Sequence, residues 1–95
     1  MFVTSLIVEA ARVFEVKPED LVGRRRKKMY TYPRFALFKA LRARGHSFPR
    51  IGLWMDRHHT TIMAGVGIAE WLVAHDRDYA EKVKYLSEVK LGDLK

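Results

Sequence analysis

Four consecutive polar side chains, His58-His59-Thr60-Thr61, follow directly on Arg57 and precede the first residue of an apolar helical stripe, Ile62. Small or flat polar groups of this kind suit base edges and phosphates, and the amides of a helix starting here would point at a nucleic-acid backbone. A second group is the run Arg24-Arg25-Arg26-Lys27-Lys28, whose cations can neutralise phosphates. The chain contains neither Asn nor Gln. Any reading of bases therefore falls to Arg, Lys, His, Thr, Ser, a carboxylate or apolar contacts.

Other chemistries find little to build on. There is no cysteine, which excludes a disulfide scaffold, a thiolate zinc site, an iron–sulfur cluster and a cysteine nucleophile, and which fits a reducing cytosol. His46, His58, His59 and His75 form no i,i+4 pair and no His-Glu-x-x-His, so no metal site is expected. No paired carboxylates, no nucleophile–base pattern and no G-x-x-x-x-G-K-[ST] phosphate loop occur within these residues, so neither an enzyme nor a cofactor is expected.

The charge distribution points the same way. The net charge is +7, but residues 1–50 carry +8 and residues 51–95 carry −1. No Asp or Glu lies between Asp20 and Asp56, a gap holding ten Lys or Arg. A one-signed field of this strength has polyanions as its natural partner. At 95 residues and 48% hydrophobic, with 11 aromatics, the chain is read as one small folded domain, residues 1–95. No apolar run reaches about 18 residues, so no membrane span is expected. Met1 to Ala11 carries no basic leader and contains Glu9, so no secretory signal is expected and the location is read as cytoplasmic, at the nucleoid.

Helical periodicity must position these groups. Leu6, Ile7, Ala10, Val13 and Phe14 mark one helix face, opening near Thr4 or Ser5. Pro18-Glu19-Asp20-Leu21 reads as a short helical turn ended by Gly23, and Arg24–Lys28 as too charged to pack or to be helical alone. The next helix is expected to start between Thr31 and Arg34. Phe35, Leu37, Phe38 and Leu41 face inward; Arg34, Lys39, Arg42 and Arg44 face water; Gly45 stops it. Ser47 caps a short helix, Phe48–Trp54, with Pro49 in its first turn. A turn at Met55-Asp56-Arg57 leads to a longer helix, His58–Ala74, with Ile62, Val66, Ala69 and Val73 on its apolar face. Gly65 and Gly67 are read there as points of close helix approach. Asp76 caps a last helix carrying Tyr79, Val83 and Leu86. Trp54 and Trp71 are read as core. The fold is all-α, a bundle of about five or six helices without a strand, and helix, three-residue turn, longer helix is the outline of a helix-turn-helix.

These residues also carry a resemblance. Gly45-His46-Ser47-Phe48-Pro49-Arg50-Ile51-Gly52 followed by Arg57-His58-His59-Thr60-Thr61-Ile62-Met63-Ala64 resembles the C-terminal, Trp-repressor-like DNA-binding domain of the bacterial replication initiator DnaA. That family runs roughly S-L-x-x-I-G, then R-D-H-T-T-V-x-x-A. Val8 to Leu21 resembles its opening helix, and Arg24 to Lys28 its basic loop; the likeness covers roughly residues 5–75. It implies that His59, Thr60 and Thr61 reach thymine methyls, base edges and phosphates in a major groove. It places Arg57 near the backbone or a base. It brings Arg24 to Lys28 to the backbone, one arginine entering the adjacent minor groove, and sets Arg34, Lys39 and Pro49 near phosphates. His58 stands where the family usually has a base-contacting Asp, so a target other than the usual initiator box is expected. The segment between Arg34 and Ile51 reads as about one residue shorter than in the initiator.

The leading expectation is sequence-selective binding of double-stranded DNA, in a transcriptional regulator of phage-related or gene-transfer-agent type. The alternatives are the DNA-binding domain of an initiator, against which His58 and the start at Met1 weigh, and an adaptor using Asp76–Lys90 to dock on transcription machinery or another protein. Plainer readings stand beside each group: a solvated basic surface, a nuclear-type address or membrane patch for Arg24–Lys28, a core position for His59, and a mere helix start for Thr60 and Thr61.

Overall fold

The computed structural model describes residues 2–91. It contains six helices: α1 (Phe2–Phe14), α2 (Pro18–Val22), α3 (Lys28–Ala43), α4 (Phe48–Met55), α5 (His59–His75) and α6 (Arg77–Glu88), and no strand among the described residues. The all-α expectation holds. α3 lies at the centre and packs against each of the other helices. Leu6, Leu21, Leu37, Phe38, Leu41, Ile51, Ile62 and Leu86 are fully buried around it. A smaller cluster, Ala36, Ala69, Leu72, Tyr79 and Val83, joins α3, α5 and α6.

The punctuation follows local chemistry. Pro18 opens α2, where its missing N–H costs nothing, and Glu19 and Asp20 complement the positive end of the helix. Ser47 Oγ accepts from Arg50 N at 3.2 Å and starts α4, and Asp76 Oδ1 accepts from Tyr79 N at 3.0 Å and starts α6. Gly45 adopts φ 100° just past α3, a conformation that glycine reaches without strain. Arg44 closes the other end of α6: its guanidinium donates to the carbonyls of Leu86 at 3.0 Å and Val89 at 2.5 Å.

Several expectations need correction. α1 begins at Phe2, not at Thr4 or Ser5, and α3 begins at Lys28, leaving Pro33 inside the helix rather than in its first turn. The early start is supported by backbone bonds from Tyr30 N and Thr31 N to Lys27 O and by Lys28 lying 5.7 Å from the Tyr32 ring centroid. Arg34 is buried, not solvent-facing. It precedes Leu37, Phe38 and Leu41 by three, four and seven residues, which puts it on their face. α4 runs one residue further, to Met55, and α5 starts at His59, so the turn is Asp56-Arg57-His58. Trp54 is half-buried against the core, but Trp71 is 60% exposed. It sits two residues beyond buried Ala69, about 200° around the helix, and stacks on His75 at 4.1 Å instead.

Of the two α5 glycines, only Gly65 is a close approach. A Cβ there would lie 2.7 Å from Phe35 Cδ1 and 3.0 Å from Phe38 Cδ2, whereas nothing lies within 4 Å of one at Gly67. Gly67→Ala should therefore stabilise the protein by about 0.5–1 kcal/mol through helix propensity. Gly65→Ala should destabilise it by about 1–3 kcal/mol through overpacking. Thermal unfolding of both variants checks this; equal shifts would contradict the packing of α3 on α5.

Candidate nucleic-acid interface

The segment linking α2 to α3 is held by main-chain carbonyls. Arg34 Nε donates to Leu21 O at 2.7 Å, Nη2 to Asp20 O at 3.1 Å and Nη1 to Arg25 O at 3.0 Å. Arg57, from the turn between α4 and α5, donates through Nη1 to Val22 O at 3.0 Å and Met55 O at 2.9 Å, and through Nη2 to Gly23 O. Two guanidinia thus satisfy the carbonyls at the end of α2 and join the basic loop to the turn before α5. Burial pushes the Arg57 pKa down to about 10, helped by the charges of Arg34 and Arg24 and opposed by Asp56. The side chain remains protonated at neutral pH. Burial also lowers the Arg34 pKa, with Arg24 adding to the effect.

The turn itself is tight. Arg57 N donates to Gly52 O at 2.8 Å, and a Cβ on Gly52 would lie 2.4 Å from Arg57 O. Asp56 takes the left-handed conformation, φ 55° and ψ 50°, which Asp tolerates better than most residues. Its carbonyl accepts from Arg24 Nη2 at 2.9 Å and its Oδ2 from the same nitrogen at 3.0 Å.

His58 is the N-cap of α5. Its Nδ1 accepts from Thr60 N at 3.3 Å and lies 2.8 Å from Thr60 Oγ1. The accepting Nδ1 must be bare, so the proton of the neutral ring is on Nε2, which is left as a donor. The His59 ring lies 4.3 Å from that of His58. His58, His59, Thr60 and Thr61 are all exposed, so the structure gathers them at one uncovered helix tip beside the basic loop.

The remaining positions divide. Arg24, Arg25, Arg26, Lys27 and Lys28 are exposed. Arg25 pairs with Asp20 at 3.0 Å and lies over Tyr30, while the side chains of Arg26 and Lys27 make no ion pair or hydrogen bond among the described residues. Lys39 is partly buried, 3.9 Å from Glu70 on α5. Pro49 is exposed at the start of α4. Arg34 and Arg57, expected near phosphates or bases, spend their donors on carbonyls within the protein. Sequence reading passed over Arg50, exposed beside Pro49 and over the Trp54 ring, and Asp56. Both were visible in the chain, Arg50 inside the acid-free gap and Asp56 at its end. No cluster of three metal-ligating side chains occurs among the described residues, and no helix there is long and apolar enough to cross a membrane.

A capped short helix, a three-residue turn, a longer helix with an uncovered tip and a basic loop braced on the turn together define a helix-turn-helix DNA-binding domain. The sequence matches the family described as bacterial dnaA protein helix-turn-helix over residues 4–68, and the chain belongs to that family. It is 31% identical over 81 residues to the chromosomal replication initiator protein DnaA of Methylobacillus flagellatus, covering 83% of this chain and 17% of that protein. To the protein of the same name from Thermus thermophilus it is 33% identical over 85 residues, covering 87% of this chain and 20% of the relative. The chain thus spans about a fifth of the length of these relatives.

Arg57→Ala strips partners from the carbonyls of Val22, Gly23 and Met55 and should cost about 1–3 kcal/mol of stability. Lysine should restore less than half of that, since one ammonium cannot reproduce the guanidinium fork. Arg26→Ala should leave the melting temperature unchanged. A melting temperature unaffected by Arg57→Ala would return Arg57 to the role of a surface contact.

Proposed function

We propose that residues 1–95 act as one sequence-selective unit for double-stranded DNA. The observation that carries this is the bracing of the basic loop on the turn that launches α5, which presents loop and helix tip as a single surface. His59, Thr60 and Thr61 enter the major groove and read base edges and thymine methyls, with the His58 Nε2–H as a further donor. Arg26, unpaired at the loop, is the arginine best placed to enter the adjacent minor groove, where the narrow walls of A·T-rich sequence favour a guanidinium. Arg24, Arg25, Lys27 and Lys28 serve phosphates, as do Lys39 on α3 and Arg50 in the first turn of α4, where Pro49 lies near the backbone. Arg34 and Arg57 act indirectly, by holding the loop.

The named relatives support the DNA-binding part of a replication initiator as the setting, and that setting would place the chain in the bacterial cytoplasm. His58 favours a second reading, a transcriptional regulator with its own target, because an N–H donor and a carboxylate prefer different base edges. Selection of bound duplexes from a random library separates the two: an initiator box supports the first reading, an unrelated site the second.

Binding should depend steeply on salt. If about six phosphates are neutralised, log K should fall against log[salt] with a slope near −5, and a slope near zero would refute the reading. His59→Ala or Thr60→Ala should cost about 1–3 kcal/mol against the selected site and little against random duplex. Fluorescence anisotropy titrations on both duplexes measure this; unchanged affinity for the selected site would show that α5 is not the reading helix.

A further inference from the structure

We infer that Asp56 is a specificity-determining residue, an electrostatic brake that competes with DNA phosphates for Arg24; the inference rests on the DNA-binding reading above. Asp56 is the only acidic residue between Asp20 and Glu70, and it falls in the turn that leads into α5. Its side chain is 98% exposed, so burial gives no reason for a carboxylate there. The left-handed backbone gives none either, since Asn or Gly adopts it as readily. What the carboxylate does is hold Arg24, with Oδ2 3.0 Å from Nη2 and the Asp56 carbonyl 2.9 Å from the same nitrogen. Carboxylate and phosphate are equivalent acceptors for a guanidinium. An exposed ion pair has little net strength, so a phosphate can take Arg24 over. Once it does, Asp56 is left unpaired beside the incoming backbone and repels it. The remaining anchors of the loop, Arg34 and Arg57, make their hydrogen bonds to main-chain carbonyls and none to this carboxylate. Removing it therefore leaves the loop in place and leaves Arg24 held only by the neutral Asp56 carbonyl, its charge no longer compensated.

Binding that rests on phosphates alone has no base contacts to offset this penalty. Asp56 thus suppresses attachment to random duplex, while the reading tip at His59 and Thr60 can overcome it at a matched site. The test uses the full chain, its Asp56→Asn and Arg24→Ala variants and the double variant, titrated by anisotropy with a random-sequence duplex at several KCl concentrations. Asp56→Asn should bind about 3–10-fold tighter with an unchanged melting temperature. Its salt slope should steepen by about one, as one more counterion is released. In the Arg24→Ala background the gain should fall to less than half. Should Asn disturb the turn, Asp56→Gly keeps the left-handed backbone and carries the same expectation. Unchanged or weaker binding by these folded variants, or an equal gain with and without Arg24, overturns the brake. Failure of all four proteins to bind at low salt overturns the DNA-binding reading and the brake with it.

Discussion

The arrangement depends on how the end of α2 is satisfied. A five-residue helix followed by a run of cations has almost no intrinsic stability, and its last carbonyls need partners. Two guanidinia from elsewhere in the chain supply them, Arg34 from the middle of α3 and Arg57 from the turn before α5. Each side chain offers a planar fork of donors and remains charged at neutral pH, so it can serve several carbonyls at once. The negative end of a helix also favours a cation. Without this bracing, Arg24 to Lys28 would be a tethered string of like charges free to point anywhere. With it, they emerge at a fixed place beside the tip of α5.

Two glycines set the remaining geometry. Gly65 lets α5 lie against Phe35 and Phe38 of α3, which fixes the depth and direction of the long helix. Gly52 lets the chain fold back so closely that Arg57 O occupies the space of a missing Cβ, which fixes the turn. Arg57 leaves that turn toward Val22 and Gly23. The angle of α5 and the position of the basic loop are therefore not independent; both are referred to the same three-residue segment, Asp56 to His58.

Much of this was legible in the sequence, for identifiable reasons. Ser47 and Asp76 were readable as caps because a hydroxyl or carboxylate before a helix has one common use. The exposed tip was readable because His58 to Thr61 precede the apolar stripe. The resemblance carried by Ile51-Gly52 and His59-Thr60-Thr61 matches the family to which the chain belongs. What escaped was the use of arginine inside the protein. By residue type Arg34 reads as solvent-facing, although its spacing from Leu37, Phe38 and Leu41 places it on the buried face. Two of the three partners of Arg57, Val22 and Gly23, lie more than thirty residues away, and local patterns carry no information about such contacts. The Asp56–Arg24 pair is hidden in the same way. Trp71 is the converse: its type reads as core, but its register, two residues past Ala69, places it outside.

The same distinction changes how the charge excess is to be understood. The ten cations between Asp20 and Asp56 look like one polyanion-binding surface when counted along the chain. In the fold, Arg34 and Arg44 are spent on helix carbonyls, Arg25 on Asp20, Arg24 on Asp56, and Lys39 lies beside Glu70. Arg34 and Arg44, aimed only at carbonyls, are structural and unavailable; Arg24, Arg25 and Lys39, paired with carboxylates, can be released by a stronger field. On the proposed function, attraction to a duplex would therefore come from a smaller set than the count implies, led by Arg26 and Lys27 at the loop, with the ion-paired cations as a reserve. A surface built this way is less adhesive toward any polyanion than its net charge of +7 implies. On the proposed function, that lower background is what would make selectivity at the α5 tip attainable with only histidine and threonine side chains to supply it.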